Sequence, residues 1–176
     1  MRLYVARHGE TAWNAVNKIC GRTDLPLTQN GQAQARLLAE RLSSVRIDRI
    51  IASPMIRAQQ TAAAVSEKMG ISVQTDQRLI EQDYGVYEGE DRKNPGFLNN
   101  KRQFAYRYPG GESMMDVAYR VYGLVEELKE KYPDEHILIV CHGGVCRVLR
   151  TYFEDMTNDA FFSFSEDNAN VRVYEA

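Results

Sequence analysis

Apolar positions along the chain follow two alternating periods. Residues 2–6 (Arg-Leu-Tyr-Val-Ala), 49–52 (Arg-Ile-Ile-Ala) and 137–141 (Ile-Leu-Ile-Val-Cys) are near-continuous apolar runs, the form expected of strands covered on both faces of a parallel sheet. Residues 71–75 and 171–174 alternate weakly and predict two further strands, the second at an edge. Helical spacing fills the intervals. Thr28 is the predicted N-cap of a helix to about Ser43, with Ala33, Leu37, Leu38 and Leu42 facing inward. Ser53-Pro54 has the form of a second helix start, a capping hydroxyl followed by proline, and that helix runs to Gly70. From Ser113 to Tyr132, Met114, Ala118, Val121, Val125 and Leu128 recur at three- and four-residue steps, and a short helix should follow Gly143-Gly144. Alternating strands and helices predict an α/β fold with a mostly parallel central sheet. The stretch 84–111 breaks the pattern: five glycines, two prolines, Lys101, Arg102, Tyr106 and Arg107 make it too long for a passive connection, and we read it as a partly helical lid.

Composition narrows the class. At 176 residues the chain suits one domain spanning 1–176, and 44% hydrophobic with 26% charged residues excludes disordered and fibrous classes. The net charge of −2 lacks the basic surplus of a general nucleic-acid or anionic-membrane binder. The longest apolar run, Ile137–Cys141, is far shorter than the ~20 residues of a membrane span. No signal-peptide pattern opens the sequence, and Cys20, Cys141 and Cys146 make neither a disulfide framework nor metal-ligand spacing. A cytoplasmic protein without metal is the expectation.

The chemistry collects at the ends of predicted strands. His8 and His142 each precede glycine and follow the strands 2–6 and 137–141, while Arg57 lies just past a third strand. Ligands of open parallel sheets bind beyond the carboxyl ends of strands, so Arg7, His8, Arg57 and His142 should converge on one crevice. Two arginines suit capture of an oxyanion, with a phosphoryl group preferred over sulfate or a carboxylate. No Gly-x-x-x-x-Gly-Lys-Ser/Thr loop is present to support Mg²⁺ chemistry. The charge work then falls to arginine, with a neutral histidine as nucleophile. The leaving oxygen needs a proton; Glu81 is the best candidate acid, with Asp83, Glu88 and Glu112 as alternatives.

Arg7-His8-Gly9-Glu10-Thr11, Trp13-Asn14, the run from Gly21 to Thr28, Ser53-Pro54-Met55-Ile56-Arg57, Leu79-Ile80-Glu81, Glu88-Gly89 and Cys141-His142-Gly143-Gly144, in that order, resemble the histidine phosphatase superfamily, which includes the cofactor-dependent phosphoglycerate mutases. The resemblance implies a three-layer α/β/α sandwich. It implies His8 as the phosphorylated nucleophile, Glu81 as proton donor, and Arg7, Arg57 and His142 around the phosphoryl group. It further implies Asn14 as a phosphate contact, Gly21 as a backbone contact to substrate, and no metal or cofactor.

The expected activity is therefore that of a metal-independent histidine acid-type phosphatase, a hydrolase of a small phosphorylated metabolite through phospho-His8. A phosphoglycerate mutase is the alternative, because Lys101, Arg102 and Arg107 could hold a substrate carboxylate, although only 60 residues lie between Glu81 and His142 and Glu88-Gly89 resembles the phosphatase branch more. A phospholigand-binding module without catalysis is the third reading. Phe104, Tyr106 and Tyr108 either shape substrate fit or pack the lid.

Overall fold

The computed structural model describes residues 1–175. Its elements run β1 (Arg2–Arg7), α1 (Ala12–Ala15), α2 (Gln29–Leu42), β2 (Arg49–Ala52), α3 (Ile56–Met69), β3 (Val73–Thr75), α4 (Pro95–Lys101), α5 (Met114–Lys131), β4 (His136–Cys141), α6 (Gly143–Phe153), α7 (Asn158–Ser163) and β5 (Val171–Glu175). The five strands form one sheet in the order β3-β2-β4-β1-β5, parallel except for β5, which pairs antiparallel with β1 at the edge.

Side chains of successive strand residues point to opposite faces, and each apolar run supplies both. Leu3, Val5, Ile51, Ile137 and Ile139 pack with α5 and α6 on one side. Tyr4, Ala6, Ile50, Ala52, Leu138 and Val140 pack with α2 and α3 on the other. This is the expected three-layer α/β/α sandwich, and the continuous hydrophobicity of β1, β2 and β4 is its cause.

Local signals act as read at several ends. Thr28 caps α2, its hydroxyl accepting from the Gly31 N–H at 3.0 Å. Ser113 and Asp116 form a reciprocal capping box at the start of α5. Gly70 ends α3 in the left-handed region, with φ +71°, which glycine adopts without strain.

Three local expectations need correction. Ser53 does not cap α3. The helix starts at Ile56 after Met55, which makes no side-chain cap bond, and the Ser53 hydroxyl is drawn inward to His142. Leu37 is 63% exposed, because Ala35, Leu38, Ala39 and Leu42 occupy the inward stripe of α2. The helix after His142 is not short: α6 runs 11 residues.

The stretch 84–111 holds a 3₁₀ turn at Gly85–Tyr87 and α4. Four of its aromatics, Tyr84, Tyr87, Phe97 and Tyr108, gather around Ile19, whereas Phe104 packs against Phe161 and Phe162 and Tyr106 is exposed. Among the described residues no helix is long and apolar enough to cross a membrane.

Candidate active site

Parallel pairing of β1 with β4 sets Arg7 opposite Cys141. The residue that follows each strand is a histidine, so the rings of His8 and His142 come to 5.1 Å between centroids. A cavity of about 40 Å³ opens there, bordered by Arg7, His8, Asn14, Glu81, Gly143 and Gly144.

The His8 ring is oriented by its neighbour. Its Nδ1 lies 2.6 Å from the carbonyl oxygen of Gly9. A carbonyl only accepts, so Nδ1 carries the proton and Nε2 keeps its lone pair. Burial, and then the charges of Arg57 and Arg7, hold this imidazole well below its usual 6.5, which leaves it neutral at pH 7. The backbone around it is fastened: the His8 N–H donates to the Cys141 carbonyl, the Gly9 N–H to the Thr61 hydroxyl, and the Asn168 amide to the His8 carbonyl.

Behind His8 lie Arg57 and His142, both fully buried. The Arg57 guanidinium donates from Nε to His142 Nδ1 at 3.2 Å, from one terminal nitrogen to the Thr23 carbonyl at 2.9 Å, and from the other to the Gly21 carbonyl at 2.7 Å. Arginine has five N–H donors, so two are not taken by these bonds, although neither Arg57 nor His142 is among the residues that border the cavity. Because Arg57 cannot accept, His142 Nδ1 is the acceptor, and its Nε2–H donates to Ser53 Oγ at 2.7 Å. Burial and then Arg57 keep His142 neutral too, well below the usual imidazole range. Arg7 spends one nitrogen on the Glu166 carbonyl, whereas its buried Nε has no partner.

Asn14 is held by its oxygen. That atom accepts from the Thr11 N–H at 3.2 Å and from Asn168 at 3.4 Å, which leaves the NH₂ donors open at the cavity. Gly21 is placed differently from a substrate contact: its N–H donates to Glu88 and its carbonyl accepts from Arg57.

Among the four candidate acids, Glu81 alone borders the cavity. Its oxygens accept from the backbone N–H groups of Gln82 at 2.8 Å and Gly144 at 3.1 Å. A Cβ at position 144 would fall 2.6 Å from Glu81 Oε1, so the glycine is what permits this approach. Glu88 instead gathers the N–H groups of Gly21, Arg22 and Thr23 and shapes that loop. Glu112 pairs with Arg22 and Arg120, and Asp83 caps its own turn at Gly85. Of the three basic residues expected near a substrate carboxylate, Lys101 lines a neighbouring cavity, Arg107 pairs with Asp116 on the surface, and Arg102 is exposed.

Several groups at the site escaped the sequence reading: Thr61, Asn168, Arg92 and Arg147, the last two of which also border the cavity. Asn168 and Arg92 arrive from distant segments, whereas Thr61 lies one turn after Arg57 on α3 and Arg147 one turn after Gly144 on α6. Among the described residues no group of three or more His, Cys, Asp or Glu side chains is arranged to hold a metal ion.

This geometry agrees with three comparisons. The family model described as histidine phosphatase superfamily (branch 1) matches residues 3–176. Phosphoserine phosphatase 1 of Hydrogenobacter thermophilus is 31% identical over 180 residues, covering 98% of this chain and 85% of that one. A probable phosphoglycerate mutase of Yersinia pestis (strain Pestoides F) is 36% identical over 150 residues, covering 81% of this chain and 70% of that one. Among solved structures, the mycobacterial glucosyl-3-phosphoglycerate phosphatase in complex with VO3 superposes with a TM-score of 0.87 at 31% identity, covering 98% and 91% of the two chains. A putative alpha-ribazole-5'-P phosphatase from Escherichia coli gives 0.85 at 28% identity, covering 98% and 89%. With the motif order, the sheet and the paired histidines all in agreement, the chain belongs to branch 1 of the histidine phosphatase superfamily.

Proposed function

We propose that the protein hydrolyses a small phosphomonoester in two steps through phospho-His8. The observation that carries this reading is the His8 ring: Nδ1–H is committed to the Gly9 carbonyl, Nε2 keeps its lone pair, and the neutral ring borders a cavity of about 40 Å³. In the first step the Nε2 lone pair attacks phosphorus and the P–O bond to the alcohol breaks. Glu81, as the acid, gives its proton to the departing oxygen. Arg7, Arg57 and Asn14 hold the equatorial oxygens, and the Gly9 carbonyl dipole stabilises the charge that develops on the ring. In the second step the Glu81 carboxylate takes a proton from water, the water oxygen attacks phosphorus, and the P–N bond breaks. Phosphate leaves, and both residues return to their starting state. His142 acts through Arg57, as a positioning residue.

The partners are small phosphorylated molecules, not nucleic acid, in keeping with the net charge of −2. Three free buried thiols suit a reducing compartment, the cytoplasm.

Acid-labile, base-stable radiolabel should appear on the protein after a brief reaction with a ³²P-labelled phosphomonoester, and His8→Ala should carry none and turn over no aryl phosphate. Retained turnover in His8→Ala overturns the assignment. With 3-phosphoglycerate and a trace of the 2,3-bisphosphate, phosphate release should outpace formation of 2-phosphoglycerate; the reverse order identifies a mutase.

A further inference from the structure

Residues 164–170 connect α7 to β5. Val171 pairs with Ala6, so the segment before it meets Arg7 and His8 where they leave the sheet. The Arg7 N–H donates to the Asn170 carbonyl at 3.2 Å, and the Ala169 N–H lies 3.0 Å from the Arg7 carbonyl and 3.3 Å from that of His8. The Arg7 guanidinium donates to the Glu166 carbonyl of the same segment. Ala169 has φ +54°, a left-handed conformation that a residue with a Cβ keeps only where its surroundings fix it. Here its methyl is buried against the core beside α2, and its carbonyl accepts from the Arg41 guanidinium.

This rigid turn presents Asn168. The Asn168 amide nitrogen lies 2.9 Å from the His8 carbonyl oxygen and 3.4 Å from Asn14 Oδ1. Both are acceptors: a carbonyl only accepts, and Asn14 Oδ1 already takes the Thr11 N–H. The atom between them is therefore the Asn168 NH₂, with one hydrogen for each. The capping box of α1 ties Asn14 to Thr11, whereas Asn168 ties it to the nucleophile. Asn14 faces its NH₂ donors to the cavity only while its oxygen is held on the far side, and Asn168 itself does not border the cavity.

We propose that Asn168 is a positioning residue for phosphoryl transfer: its NH₂ group sets the spacing between His8 and the Asn14 amide and keeps the donor end of that amide toward the phosphoryl oxygens. This rests on the phosphatase reading above and adds a residue to it. Reacting groups must be held closely to transfer efficiently, and small misplacements are costly. Without Asn168 the His8 carbonyl keeps the Ala169 N–H, but Asn14 Oδ1 keeps only the Thr11 N–H at 3.2 Å. The loss therefore falls on Asn14.

The test is a double-mutant cycle on kcat/KM for p-nitrophenyl phosphate, with wild type, Asn14→Ala, Asn168→Ala and the double variant. Asn14→Ala should lose at least tenfold and Asn168→Ala at least fivefold. The double variant should lie within twofold of Asn14→Ala, because no amide is left to position. Asn168→Leu, which fills the same space without donors, should lose as much as Asn168→Ala. Thermal denaturation establishes that the variants fold, and either Asn168 variant completes the cycle. Losses that multiply in the double variant, an Asn168→Ala rate within twofold of wild type, or restoration by Asn168→Leu overturn the proposal and leave the phosphatase reading standing. No hydrolysis by the wild type overturns that reading, and this one with it.

Discussion

Ser53 Oγ accepts the Nε2–H of His142 at 2.7 Å, although the two residues are 89 positions apart and neither is exposed to solvent. Through this bond and the one from Arg57, both nitrogens of the imidazole are spoken for, and the ring becomes a fixed spacer between Ser53 and the guanidinium. Ser53→Ala should leave that N–H buried without a partner, at a cost of about 1–3 kcal/mol. Urea denaturation checks the stability. The freed imidazole should also loosen Arg57, so kcat/KM for an aryl phosphate should fall about tenfold; an unchanged value on both measures removes the positioning role.

The approach of Gly144 to Glu81 makes a second prediction. Gly144→Ala introduces a Cβ where the Glu81 carboxylate lies, 2.6 Å from Oε1, and the acid must move. Its rate loss should therefore resemble that of Glu81→Gln: large for alkyl phosphates, whose leaving oxygens need a proton, and small for p-nitrophenyl phosphate. A plot of log kcat/KM against leaving-group pKa reads this directly. Parallel lines for wild type and both variants would assign proton donation elsewhere.

The two neutral histidines set a pH dependence. His8 and His142 both lie well below 6.5 in the folded protein, so below that pH the unfolded chain binds protons that the folded one does not. Stability contributed by these groups is full above about pH 6.5 and is lost as pH falls, by up to ~1.4 kcal/mol per pH unit for each histidine. Denaturant midpoints measured from pH 7.5 to 5 should decline accordingly, and His142→Gln should make the decline shallower. For the same reason the nucleophile itself should not titrate near 6.5 in a kcat/KM profile.

In the proposed reaction phosphoryl charge is met by Arg7, Arg57 and the amide of Asn14, with no metal ion involved. Incubation with EDTA followed by desalting should leave the hydrolysis rate within twofold of its starting value. A loss restored by Mg²⁺ or Zn²⁺ would require a different account of charge neutralisation.

How far the chain could be read from its residues depended on the range of the interaction involved. β1, β2 and β4 announced themselves because a strand buried on two faces must be apolar at every position. Thr28 and Ser113 were legible as caps because a cap is satisfied within three residues. His8, Arg57, His142 and Glu81 could be drawn together only through the rule that loops at strand carboxyl ends converge, supported by the motif resemblance. Ser53 was misread because its local context favours capping, while a buried imidazole from β4's end competes for the same hydroxyl and wins. Arg92 and Arg147 carry no local mark: one sits in the stretch 84–111 and the other in the second turn of α6, half-buried, and only the assembled fold turns both toward one cavity.

The antiparallel pairing of β5 completes the hydrogen-bonding of β1, whose other edge is taken by β4. The segment that ends in the nucleophile therefore has no unzipped margin, and local fraying offers it no way out. Backbone amides of residues 3–7 should exchange with solvent only when the entire sandwich opens. The reacting group is thus anchored at the end of a strand paired along both edges, an attachment that rearrangement of more distant loops leaves in place.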